Sequence, residues 1–143
     1  TDLALDTATF DLFHPQGYRE KIDPDITRRL VAKRLDALEE QSATISRPTV
    51  DLAREIVHDG ARSDRQTVFL FPPIHPDVLS PARNDIASAI DAFTESFSGM
   101  AGVRVIDATS LLERDHFIDD LHPTDEGARL LTAFLALRLK AGP

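Results

Sequence analysis

The sequence predicts an α/β domain of three layers, with helices on both faces of a parallel sheet, and three observations carry that expectation. Thr67-Val68-Phe69-Leu70-Phe71 is an unbroken β-branched and aromatic run ending at Pro72-Pro73. Such a run reads as a strand buried on both faces, which is the habit of parallel sheets. Val103-Arg104-Val105-Ile106-Asp107 is a second short run of the same kind. Amphipathic helical stretches alternate with these two, and a helix-strand-helix-strand-helix order implies right-handed crossovers and an α/β/α sandwich. Two confident strands are few for a complete domain of this type, so the sequence reads as an incomplete or minimal version.

The elements follow in order. Residues 1–23 are mixed: Leu3-Ala4-Leu5 has the makings of a strand, Phe10, Leu12 and Phe13 add an apolar patch, and His14-Pro15-Gln16-Gly17-Tyr18 breaks regularity. Asp23-Pro24 opens a helix, with the aspartate as cap and the proline at the first helical position. Ile26, Leu30, Val31, Leu35 and Leu38 then recur at spacings of three and four, one face of a helix. The charges from Arg28 to Glu40 read as its solvated face. Ser46-Arg47-Pro48 starts a second helix in which Leu52, Ile56 and Val57 share a face, stopped by His58-Asp59-Gly60. Ser80-Pro81 begins a third, pointing Ile86, Ala89, Ile90, Phe93 and Phe97 inward and ending near Gly99. A final helix spans 125–140, with Ala128, Leu131, Leu135 and Leu139 on one face and Thr124 or Asp125 as its cap.

Composition narrows the function classes. The chain has 143 residues, 42% hydrophobic and 28% charged, which is one ordinary globular domain. A formal charge of −8 with the acids spread along the chain argues against nucleic acid or an anionic membrane as partner. There is no cysteine, so neither a disulfide framework nor a thiolate metal site is available. No uninterrupted apolar run approaches the ~20 residues of a membrane helix.

Sites in open α/β sheets form beyond the carboxyl ends of the strands. Two segments leave such ends: Pro72-Pro73-Ile74-His75-Pro76, and the stretch from Asp107 to His122. The second holds Asp119-Asp120-Leu121-His122-Pro123, just ahead of the final helix. A serine hydroxyl near neutral pH needs an imidazole to take its proton, and the imidazole needs a carboxylate to fix its tautomer. An aspartate three residues upstream of a histidine, on a turn entering a helix, is placed to do that. Asp119 and His122 are therefore the candidate catalytic residues. By composition alone they also read as a helix-leading acid and a surface loop residue.

The block from Val103 to Leu131 resembles the C-terminal part of the SGNH/GDSL hydrolase superfamily. There a strand ending in an aspartate leads through a loop to a D-x-x-H-P signature and a closing helix, and Gly127 falls at the family's helix-packing glycine. The proline pair Pro72-Pro73 and the following His75-Pro76 resemble the branch related to D-alanyl transfer and polysaccharide O-acetylation proteins. The resemblance covers about residues 45–140 and is most specific in the last forty. It implies a flavodoxin-like SGNH-type sandwich without metal or organic cofactor, Asp119 as triad acid and His122 as general base. It implies an acylated small-molecule or polysaccharide substrate and an extracytoplasmic setting at the cell envelope.

The sequence departs from that pattern at the nucleophile. The family serine sits in a Gly-Asp-Ser block, and this chain has none. Leu5-Asp6-Thr7 is the nearest mimic, and Thr7 reads as an ordinary polar residue. Ala82-Arg83-Asn84-Asp85 mimics the family's oxyanion block but falls inside a helix, so Asn84 reads as solvated or capping. The expectation is a single domain over 1–143, the C-terminal portion of a longer protein whose serine block lies upstream of Thr1 or is lost. The function expected is an ester hydrolase or O-acyltransferase. The alternatives are an inactive or truncated hydrolase-like domain that binds a glycan or protein partner, and a flavodoxin-like binding or signalling domain in which Asp119 and His122 are incidental.

The remaining histidines carry less. His75 reads as a rigid surface turn or a pocket-lining residue. His116, with Asp115, Asp119 and Asp120 around it, suggests a metal site without an established ligand spacing. His14 and Tyr18 flank a turn glycine, and His58 reads as a helix-end residue at the negative pole of the dipole.

Overall fold

A computed structural model of the chain describes residues 23–41 and 44–141; the expectations for Leu3-Ala4-Leu5, Thr7, His14 and Tyr18 lie outside the described residues. The architecture is α/β, and the described residues form four helices and a two-stranded parallel sheet. The order is α1 (Pro24–Gln41), α2 (Arg47–Arg62), β1 (Thr67–Phe71), α3 (Pro76–Glu95), β2 (Val103–Asp107), a 3-10 turn (Arg114–His116) and α4 (Asp125–Lys140). β1 and β2 pair in register, Thr67 with Val103 through Phe71 with Asp107. A long helix between two parallel strands is what their direction demands, because a tight turn cannot return the chain to the starting end.

Local chemistry sets the helix starts. Asp23 Oδ1 accepts the Asp25 N–H at 2.8 Å, and its carbonyl accepts from Ile26 and Thr27. Ser46 caps α2 with its side chain. Thr124 caps α4, its hydroxyl accepting the Gly127 N–H at 3.2 Å. Gly102, at φ +76°, takes the left-handed conformation that lets the chain enter β2, and its carbonyl accepts the Thr67 N–H.

Strand alternation sends Phe69, Phe71, Val103 and Val105 to one face, where they pack with Ala53 and Val57 of α2 and with Phe93 and Phe97 at the end of α3. Phe93 meets Phe69 and Phe71 edge-on, with centroids 5.3 and 5.4 Å apart, the arrangement aromatic quadrupoles favour. On the other face Ile106 is buried and Arg104 reaches the Arg138 carbonyl of α4 at 2.6 Å. Val68 and Leu70, beside them on β1, each stay 37% exposed. The expectation that β1 is buried on both faces is therefore corrected: among the described residues only its α2–α3 face is covered.

Two other expectations change. The inward face of α2 is Ala53 and Val57, while Leu52 and Ile56 are exposed, and the helix runs two residues past Gly60. Helix α3 starts at Pro76, not Ser80, and carries Pro81 inside it. Val78 and Leu79, buried before Pro81, hold that first turn in place against the proline, which removes one helical hydrogen bond and crowds the carbonyl four residues back. No helix among the described residues is long and apolar enough to cross a membrane.

Candidate active site

Both strands end on one rim. Past β1 the Ile74 N–H donates to the Thr109 carbonyl at 3.0 Å, and past β2 the Ala108 N–H donates to the Phe71 carbonyl at 2.9 Å. Asp107 turns the chain there, its Oδ1 accepting the Thr109 N–H at 2.8 Å and the Thr109 hydroxyl at 2.7 Å. The 3-10 turn follows, and Phe117 bridges Pro123 in antiparallel fashion. Residues 118–122 form a tight turn closed by the Ile118 N–H on the His122 carbonyl at 2.7 Å.

That turn brings the two predicted site residues together. His122 Nδ1 lies 2.8 Å from Asp119 Oδ2, while Asp119 Oδ1 accepts the N–H groups of Leu121 at 2.8 Å and His122 at 2.7 Å. One carboxylate thus shapes the turn and orients the ring. Asp119 is 16% exposed and His122 52%. Burial pushes the Asp119 carboxyl up, but the His122 amide, the His122 ring and the Leu121 amide together hold it below its ordinary range. It stays ionised at neutral pH, and with Nδ1–H donated to it the imidazole carries its basic lone pair on Nε2.

Helix α4 is seated by Gly127. A Cβ there would lie 2.5 Å from the His116 carbonyl oxygen, which itself accepts the Thr124 N–H at 2.8 Å. The glycine lets the first turn of α4 press against the 3-10 turn and so fixes where His122 leaves the rim.

His75 has a role that sequence reasoning missed. It is 2% exposed and caps α3, its Nδ1 accepting the Asp77 N–H at 3.2 Å while its ring lies 5.2 Å from that of Phe117. The acceptor role requires a neutral ring protonated on Nε2. Burial is the largest influence and Arg114 adds to it; against the pull of Asp77, Asp120 and Asp119 they lower its pKa from the usual imidazole value. The signal was present: His75-Pro76-Asp77 repeats the cap-proline-acid order of Asp23-Pro24-Asp25. Arg114 pairs with Asp77. A cavity of about 440 Å³ opens here, lined by His75, Asp77, Arg114, Phe117 and Ile118 from the rim and by Pro24, Thr27 and Arg28 from α1. Ile118 directly precedes Asp119, so the cavity adjoins the turn that carries the pair.

The other candidates fall elsewhere. Asn84 is exposed on α3, and His58 is exposed within α2. His116 spends its Nδ1 on the Glu113 N–H at 3.1 Å. Among the described residues no group of three or more His, Asp or Glu side chains stands where it would hold a metal ion. Asp120, named with the metal set, instead pairs with Arg34 of α1 at 2.6 Å and is 6% exposed. The chain matches no protein-family model, no curated protein and no solved structure.

Proposed function

We propose that this domain performs acyl transfer from an oxygen ester, as an SGNH-type hydrolase or O-acyltransferase in which Asp119 and His122 are two members of a Ser-His-Asp triad. The observation that carries this reading is the 2.8 Å contact between Asp119 Oδ2 and His122 Nδ1 on the rim beyond the strand ends. It is the relation a triad acid must have to its base. In the reaction the serine Oγ attacks the ester carbonyl and its proton passes to His122 Nε2. The ester C–O bond breaks, the alcohol leaves with that proton, and an acyl-serine remains. Water or a sugar hydroxyl then repeats the sequence on the acyl-serine, with His122 again taking and returning one proton. Asp119 stays ionised throughout and stabilises the imidazolium. The substrate class is an acylated small molecule or an acylated cell-envelope polysaccharide.

Hydrolysis of p-nitrophenyl acetate tests the assignment. Loss of a general base costs about 10²- to 10⁴-fold in rate, so His122→Ala is expected to fall to the buffer rate. Hydrolysis by His122→Ala equal to that of the unaltered chain overturns it. The second reading, a hydrolase-like domain that binds a glycan or protein partner without turnover, is favoured by one observation: the sequence contains no Gly-Asp-Ser block. Saturable glycan binding, unchanged in His122→Ala and without ester turnover, is its signature.

A further inference from the structure

Asp119 and Asp120 are adjacent carboxylates with different partners. Asp119 meets the ring of His122, whereas Asp120 is 6% exposed and takes the Arg34 Nε–H of α1 at 2.6 Å, across 86 positions of sequence. The two carboxylates share one peptide unit, so whatever holds Asp120 also fixes the backbone from which Asp119 reaches His122. Helix α1 buries Val31, half-buries Leu30, Leu35 and Leu38, and leaves Ile26 exposed. The same helix supplies Pro24, Thr27 and Arg28 to the cavity whose other wall includes Ile118, the residue before Asp119.

We propose that Arg34 is a positioning residue: through Asp120 it holds the 118–122 turn, and with it the Asp119–His122 pair and the mouth of the adjoining cavity, against α1. Its consequence for catalysis rests on the acyl-transfer reading; its consequence for geometry does not. A guanidinium suits the task because its planar fork keeps direction where an ammonium is only a point charge. Removing it leaves a buried carboxylate without its counter-charge, which drives Asp120 towards water and drags the turn with it.

The ring nitrogens of His122, observed by ¹⁵N NMR at a pH about two units above the reference imidazole value, report the pairing directly. The unaltered chain is expected to show a single tautomer with the proton on Nδ1. Arg34→Gln should lose it to an averaged signal, Arg34→Lys should restore it in part, and Asp120→Asn should lose it as Arg34→Gln does. Val31→Ala, which loosens α1 without touching the ion pair, should keep it. A single Nδ1–H tautomer in both Arg34→Gln and Asp120→Asn overturns the proposal, as does equal loss in Val31→Ala. Should Arg34→Gln fail to fold, Asp120→Asn against Val31→Ala still decides. No turnover enters this readout, so it stands apart from the His122→Ala assay: esterase loss there with an unmoved signal here sinks the positioning role alone.

Discussion

The chain enters the helix that follows each strand by the same dipeptide, His75-Pro76 at α3 and His122-Pro123 ahead of α4, and uses it in opposite ways. At the first junction the imidazole itself caps the next helix: His75 is buried, its Nδ1 accepts a backbone N–H, and its proton is on Nε2. At the second, Thr124 caps the helix two residues later, and the imidazole is half exposed with Nδ1 against a carboxylate. The tautomers are reversed. A histidine that caps a helix has its acceptor nitrogen committed to structure; at the second junction a neighbouring threonine takes that duty, and the His122 Nδ1 faces a carboxylate instead. Of the two His-Pro junctions, the second is the one on which the proposed acyl-transfer reading rests.

Truncating each ring is the sharpest way to break that contrast. His75→Ala removes a cap, about 1 kcal/mol, and a buried ring packed on Phe117, so the total loss of stability should reach about 2–4 kcal/mol. His122→Ala removes a half-exposed ring and one hydrogen bond to Asp119, at a cost of about 1 kcal/mol or less. Urea unfolding of the two variants checks the order. Equal losses would mean that both rings serve the fold.

Much of this was legible in the residues. Both strands, helix α4 and the start of α1 lie where the apolar runs and caps place them, because those signals are local. The start of α3 was not, since Pro81 resembles a first-turn proline as much as Pro76 does and only the burial of Val78 and Leu79 decides between them. The Asp119–His122 contact was legible because three residues separate its members. The Arg34–Asp120 pair was not, because nothing local in either residue names a partner 86 positions away. The exposure of Val68 and Leu70 escaped for a related reason: an apolar strand shows what it prefers to be covered by, not which of the described residues cover it.

A smaller perturbation separates the junctions by their seating. Gly127→Ala should gain about 1 kcal/mol of helix propensity, yet the added methyl meets a backbone oxygen at 2.5 Å that is already bonded to the Thr124 amide. Backbone cannot yield as a flexible side chain would, so the clash wins, with a net loss of about 1–3 kcal/mol. A chemical-shift map of the variant should show its largest changes at residues 112–127 and little at the His75 cap. A stabilised Gly127→Ala would mean that α4 is free to shift and that the position of His122 is not set by it.

The smallest effect is a dependence on pH that the two junctions should show in different windows. His75 is held below its unfolded value of 6.5, so the unfolded chain takes the proton first. Its contribution is complete above 6.5 and is lost as the pH falls through the lower, folded value, because a protonated Nδ1 no longer accepts the Asp77 N–H. Asp119 is held below 3.8, so its contribution is complete above that value and is lost only as the pH falls further. As the pH falls from 6.5 towards 3.8, the response of these two groups begins with His75. His75→Asn keeps a side-chain acceptor for the cap and removes the titration. The urea midpoint of the unaltered chain should therefore fall more steeply than that of His75→Asn as the pH drops below 6.5, and the two curves should run parallel once the pH is below the lowered, folded value of His75. Parallel curves over the whole range would place the cap outside the acid response and leave the contrast between the rings resting on geometry alone.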